Sequence, residues 1–170
     1  MPNHLSILGI IHTAISILAL FAGFIALYQF GRIKVKSTIG QWYIILTAIT
    51  CLTGLPIMRT GQPTPGHVLA VLVLLLLPLA YYAYNIKLLK NKADYLQTFF
   101  MSTTLFFSMV PAINETLTRL PISAPIASGP DSPILKMSLL LLVVIYLAGS
   151  TYQIYRIRMF RRINPDTVLG

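Results

Sequence analysis

Acidic residues and cysteine are scarce in this sequence. Of its 170 residues, four are Asp or Glu and one is Cys, and charged residues make up only 10 % of the chain. The single cysteine, Cys51, lies in a hydrophobic run, which excludes a disulfide framework and a CxxC redox pair. No GxSxG, Walker-type or GxGxxG motif is present. The sequence therefore gives no positive ground for naming an enzyme, and it favours a non-catalytic protein.

Hydrophobic residues are correspondingly abundant. They make up 56 % of the chain, and the mean hydropathy is +0.76, whereas soluble domains are about 45–50 % apolar and about 25 % charged. This composition predicts a membrane protein whose main partner is the lipid bilayer. The formal charge of +9 comes from basic clusters beside hydrophobic runs, a pattern typical of membrane orientation and lipid phosphate rather than of nucleic-acid binding.

Five segments are long enough to cross the hydrocarbon layer, which takes about 20 helical residues. The predicted spans are 5–30, 38–58, 66–84, 95–117 and 133–155. The connections leave no room for a second folded unit, so we expect residues 1–170 to form one domain. The predicted fold class is all-α, an integral membrane bundle of five transmembrane helices.

The distribution of Lys and Arg predicts the orientation of this bundle. The first and third loops and the C-terminal tail hold ten of them, namely Arg32, Lys34, Lys36, Lys87, Lys90, Lys92, Arg156, Arg158, Arg161 and Arg162. The opposite side holds three, Arg59, Arg119 and Lys136. The positive-inside tendency then places the N-terminus outside and the C-terminus in the cytoplasm.

The first span carries a stripe of small residues at helical spacing that is interrupted by one imidazole. The stripe consists of Gly9, His12, Ser16, Ala19, Gly23 and Ala26. Small residues allow helix backbones to approach closely in lipid, so this face, with His12, should point into the bundle and towards the second span. The structural interpretation of His12 is an interhelical hydrogen bond to a Thr or a carbonyl of that span. The functional interpretation is a ligand or a titratable group, because ionisable residues inside membranes are costly.

Other polar residues gather towards the same predicted outer side. The candidates for an outward-facing polar pocket are His4, His12, Arg59, His67, Glu115 and Arg119.

A b-type haem held by His12 and His67 is the most concrete ligand, although two axial imidazoles need similar depth and His67 opens its span. A transition-metal site formed by histidines and Glu115 is a second option, without HxxxH spacing to support it. A proton-linked or lipid-like ligand pocket is a third. Glu115 and Arg119 also fit an ordinary i,i+4 ion pair.

Three positions carry a family resemblance over residues 10–85. His12 in "IHTAISILALFAGFIALYQF", Gly40 after a basic loop, and His67 in "GHVLAVLVLLLLPLA" resemble an uncharacterised family of small bacterial multi-span membrane proteins. That family has a His-Arg-x-x-Gly-like motif before its second span, whereas this loop reads "KSTIG". The resemblance implies a multi-pass protein of the bacterial inner membrane and supplies no established activity.

Two functional hypotheses follow from these observations. The first is a binding or redox module with an outward-facing pocket. The second is a non-catalytic subunit or scaffold of a larger membrane complex, as a homo-oligomer or with another membrane protein. The sequence does not choose between them.

Overall fold

The computed structural model describes residues 6–57, 61–86 and 92–163, which form five α-helices and no strand. The helices are α1 (Ile7–Phe30), α2 (Thr38–Gly54), α3 (Pro65–Tyr81), α4 (Ala93–Arg119) and α5 (Pro133–Ile163). A short 3-10 turn, Ala83–Asn85, follows α3. The all-helical prediction is confirmed for the described residues, and each helix lies where a span was predicted.

Local sequence signals set several helix ends. The Ser6 hydroxyl accepts a hydrogen bond from the Gly9 N–H at 3.1 Å, and Ser37 does the same for Gly40 at the start of α2, as expected of N-cap serines. Helix α1 ends at Phe30, and the capping residue Gly31 has a φ of 68°, the left-handed conformation that glycine adopts at no steric cost. Helix α2 ends at Gly54, before Pro56, earlier than the predicted limit of residue 58.

Helix length distinguishes two groups. Helices α1, α4 and α5 have 24, 27 and 31 residues and are long and apolar enough to cross a membrane. Helices α2 and α3 are apolar but have 17 residues each. Almost none of the apolar stretch of α5 is buried within the protein, and large apolar side chains are exposed along α1, α2, α3 and α5. This exposure is what a surrounding hydrocarbon solvent permits.

Helix α1 packs most extensively against α2, as its small-residue stripe predicted. Gly9, Ala19, Gly23 and Ala26 are all buried in α1. A Cβ atom on Gly23 would lie 3.1 Å from both the Tyr43 ring on α2 and the Leu105 side chain on α4. Close approach of three helices at this point therefore depends on the missing side chain.

Neighbouring helices along the chain pack side by side, and α1 also touches α4. The core lies between α1, α2, α3 and α4 and consists of Ala22, Ala26, Tyr43, Cys51, Val73, Leu77, Ala80, Met101 and Leu105, together with Ile33 and Val35 from the first loop. Helix α5 packs mainly on α4. We call the end of the bundle that holds Arg32, Asp94 and Arg161 the basic end, and the end that holds His12, His67 and Glu115 the histidine end.

Candidate functional site

A lateral groove opens between α1, α4 and α5, in the half of the bundle nearer the histidine end. Its volume is about 530 Å³, within the range of about 300–1,000 Å³ typical of small-molecule sites. The lining residues are Ile17, Leu20, Phe21 and Phe24 of α1, Met109, Ala112, Ile113, Thr116 and Leu117 of α4, and Ser138, Leu141, Leu142 and Ile145 of α5. All but the two hydroxyl residues are apolar, so the groove suits a hydrocarbon chain.

Side-chain hydrogen bonds connect α5 to the rest of the bundle from its middle to its basic end, and the groove lies beyond them. Tyr146 shares a hydrogen bond of 2.7 Å with Thr103. The Gln153 amide accepts from Ser102 at 2.7 Å and donates to the Gly31 carbonyl at 3.0 Å. The Tyr146 bond lies near the middle of α5, and the bonds of Gln153 and Arg161 lie in the half nearer the basic end. Within the described residues, the segment of α5 that precedes Tyr146 makes no side-chain hydrogen bond to another helix, and this segment lines the groove.

A charged pair follows the groove lining of α4 at the histidine end. Ala112, Thr116 and Arg119 stand at i, i+4 and i+7 on α4 and therefore share one face of the helix. Arg119 forms an ion pair with Glu115, so the predicted i,i+4 pair is confirmed. Arg119 is 23 % and Glu115 50 % exposed in their side chains, which leaves both near the surface. An apolar groove followed by a charged pair is the arrangement expected for an amphiphilic ligand.

His12 makes the interhelical contact that its position predicted. Its Nδ1 lies 3.2 Å from the Thr53 hydroxyl on α2, and a Cβ atom on Gly54 would come within 3.0 Å of the His12 ring. The Thr53 hydroxyl also donates to the Ile49 carbonyl. When the single hydroxyl proton of Thr53 is donated to the Ile49 carbonyl, the Thr53 oxygen can only accept from His12. The proton of the neutral imidazole is then on Nδ1. The structural interpretation of His12 is therefore confirmed, with α2 as the partner helix.

His67 forms part of the first turn of α3. Its Nδ1 accepts a hydrogen bond from the Thr64 N–H at 3.0 Å and lies 2.8 Å from the Thr64 hydroxyl. A nitrogen that accepts from a backbone N–H carries a lone pair, so in the neutral ring the proton is on Nε2. This Nε2 is buried and has no hydrogen-bond partner in the described structure. A protonated Nε2 is a donor, and coordination of iron through it would require the proton to move.

The remaining predicted pocket residues do not converge on one point. His12 bonds to α2, His67 to its own helix start, and Glu115 to Arg119. His4 and Arg59 lie outside the described residues. Among the residues that the structure describes, no group of three or more His, Cys, Asp or Glu side chains is arranged to hold a metal ion.

The most highly connected polar group lies at the opposite end and was not singled out from the sequence. The Asp94 side chain, at the start of α4, is fully buried. One of its oxygens lies 2.5 Å from Nη2 and 3.1 Å from Nε of Arg161. The other lies 3.6 Å from the Arg32 guanidinium and accepts a hydrogen bond from the Tyr84 hydroxyl. The Asp94 cluster, defined as these four residues, thus joins the first loop, the 3-10 turn after α3, and helices α4 and α5.

The sequence contained a signal for this cluster. Asp94 and Asp166 are the only acids on the predicted cytoplasmic side, which has ten basic residues, and a buried carboxylate requires a cationic partner.

No family model, curated protein or solved structure matches this chain.

Proposed function

We propose that this protein is a multi-pass membrane protein that binds a lipid-like molecule in the groove between α1, α4 and α5. The observation that carries the proposal is the groove itself, about 530 Å³ of apolar lining with the Glu115–Arg119 pair at one end. The ligand class is a single-chain amphiphile, with its chain along Phe21 and Leu141 and its polar head near Arg119. This is the lipid-like option among the binding functions that the sequence left open.

The membrane arrangement is part of the proposal. All five helices cross the bilayer, the short α2 and α3 included, since about 17 residues is the lower limit for a span. The N-terminus is outside and the C-terminus is in the cytoplasm of a bacterial cell, so the groove opens to the outer leaflet. Reporter fusions at each terminus test this orientation, and an active cytoplasmic reporter at the N-terminus would contradict it.

Photolabelling tests the ligand. The purified protein is incubated in detergent with a diazirine-bearing palmitic acid, irradiated and mapped by peptide mass spectrometry. Labelling of groove peptides from α1, α4 and α5 should be saturable, because excess unlabelled palmitate competes for a defined site. Labelling of the exposed face of α3 should not saturate, because detergent-like contact there has no fixed stoichiometry.

A pair of variants assigns the labelling to the groove. Ala112→Phe fills the space beside Thr116 and should abolish the saturable component. Ala14→Phe adds the same ring on an exposed part of α1 outside the groove and should leave that component unchanged. Equal saturable labelling in the two variants would refute the proposal.

The two competing hypotheses are tested on the same preparation. A Soret band in the visible spectrum that disappears in His12→Gln and His67→Gln would establish haem binding, because an amide is a poor iron ligand. A stoichiometric membrane protein, or a second copy, that protects the groove from labelling would establish the scaffold role, with a transmembrane helix rather than a lipid in the groove.

A further inference from the structure

Within the described residues, the basic end carries cations that form no ion pair with an acidic side chain. The acid described at this end is Asp94, which is buried and held by Arg32 and Arg161. The other described ion pairs, Glu115–Arg119 and Asp131–Lys136, lie at the histidine end. Within residues 6–57, 61–86 and 92–163, Lys34, Lys36, Lys92, Arg156, Arg158 and Arg162 therefore take part in no ion pair.

Two of these cations in the first loop are held against aromatic rings. The Lys34 ammonium lies 5.1 Å from the centre of the Phe30 ring, and the Lys36 ammonium lies 5.8 Å from that of Tyr84. Both distances fall within the range of cation–π attraction. Aromatic rings at the ends of membrane helices sit at headgroup level. The contacts therefore hold the two ammonium groups at the depth of the lipid phosphates.

The surface next to these cations is apolar. Tyr28 is 92 % and Trp42 55 % exposed, one at the end of α1 and the other near the start of α2. A ligand that pairs its phosphate with Lys34 and Lys36 would lay its remaining part along this apolar surface. That combination matches a phospholipid, whereas a free phosphate has no apolar part to place on this surface.

We propose that the first loop, through Lys34 and Lys36, is a binding site for the headgroups of anionic phospholipids. The opposing charges give the affinity, and the neighbouring apolar helix surfaces accommodate the acyl chains. This site is separate from the groove at the histidine end and does not depend on its ligand.

The chain contains one tryptophan, and its position provides the assay. Trp42 lies four residues after the start of α2, about 6 Å along the helix axis, so lipids bound at the first loop pass close to it. The full chain is reconstituted in phosphatidylcholine vesicles in which part of the lipid is dibrominated phosphatidylglycerol or dibrominated phosphatidylcholine. Brominated chains quench tryptophan by contact. Since both leaflets have the same composition, the result does not depend on the orientation of the protein.

We expect phosphatidylglycerol to be enriched several-fold over phosphatidylcholine at Trp42, with the enrichment falling as salt is raised. Each Lys near an anionic surface contributes a factor of at most about five, so the double variant Lys34→Gln, Lys36→Gln should lower the several-fold enrichment to near one. Lys136→Gln removes one charge at the histidine end and should leave it unchanged. Far-ultraviolet circular dichroism verifies that each variant keeps its helix content.

Three results would overturn the proposal. The first is equal quenching by the two brominated lipids in the unmodified protein, and the second is full enrichment in the double variant. The third is loss of enrichment on adding inorganic phosphate, relative to chloride at the same ionic strength, which would assign the site to free phosphate.

Discussion

Replacing Asp94 with Asn tests whether the Asp94 cluster holds the basic end together. The substitution keeps the size of the side chain and removes the charge that faces Arg32 and Arg161. The Arg32 side chain is 7 % and the Asp94 side chain 0 % exposed, so water cannot replace the lost carboxylate. Breaking a buried pair by removing one partner costs about 3–5 kcal/mol. Because Arg161 is 25 % exposed and is partly screened, we expect about 3 kcal/mol.

The assay is the free energy of unfolding by sodium dodecyl sulfate in mixed micelles, followed by Trp42 fluorescence. Asp131→Asn is the matched control, because it makes the same chemical change at an exposed ion pair with Lys136 and should have no measurable effect. The double variant Asp94→Asn, Arg32→Gln should be less destabilised than the sum of the single variants, since it also removes a desolvated cation. Equal stability of Asp94→Asn and Asp131→Asn would refute the role assigned to the cluster.

Two further substitutions test the contacts of α1. Gly23→Leu should destabilise the protein by about 1–3 kcal/mol, as overpacking does. Ala14→Leu, on an exposed part of the same helix, should be tolerated. Equal unfolding free energies of the two variants would mean that the small-residue face is not tightly packed. His12→Gln should retain near-normal stability, because an amide can still bond to Thr53 and intramembrane hydrogen bonds average about 0.6 kcal/mol. A loss of several kcal/mol in the same unfolding assay would show that the imidazole has a role beyond this bond.

The sequence predicted the helices well, because a long apolar run is a local property. It predicted the end of α5 less well, since the predicted span ends at residue 155 and the helix continues to Ile163. The apolar pattern marks where a helix leaves hydrocarbon, whereas the helix itself continues as long as its residues tolerate that conformation. This extension carries Arg161, which would not reach Asp94 if the helix ended at Tyr155.

The sequence also predicted the kind of bond that His12 makes, but not the residue that receives it. The prediction was a Thr or a carbonyl of the second span, which also carries Thr47 and Thr50, and the observed partner is Thr53. The hydroxyls of Thr47 and Thr50 are buried without a hydrogen-bond partner in the described structure. Which of three threonines at helical spacing meets a facing side chain depends on the crossing angle and the vertical offset of the two helices. A single sequence contains neither quantity.

The groove and the Asp94 cluster depend on the same missing information. Both arise from where α5 is placed, and their members are separated by up to about 130 positions along the chain. Composition shows that a lone acid among many bases needs a cationic partner, but it does not choose between ten candidates. An apolar groove has no sequence signal at all, because its lining residues resemble any others that face lipid.

Ionisation of the Tyr84 phenol at high pH gives a test of the Asp94 cluster that leaves the charged side chains of Asp94, Arg32 and Arg161 in place. Burial, and then the hydrogen bond donated to the Asp94 carboxylate, raise the pKa of Tyr84 above its ordinary value of 10.0. The neutral phenol is therefore favoured in the folded state. Its contribution to stability is fully present below about pH 10 and is lost as pH rises towards the folded-state pKa, because the unfolded chain ionises first. The loss reaches at most about 1.4 kcal/mol per pH unit, and less here because the ring is partly exposed.

Comparison with Tyr84→Phe isolates this effect from all other titrations. The variant lacks the phenol, so the unmodified protein should be the more stable of the two at about pH 8, and the difference should narrow by about pH 11. Tyr82→Phe removes an exposed hydroxyl two residues earlier and serves as the control. The measurement is the free energy of unfolding at each pH in the same mixed micelles. A difference between the unmodified protein and Tyr84→Phe that stays constant from about pH 8 to about pH 11 would mean that the Tyr84 hydroxyl is not held by the buried carboxylate.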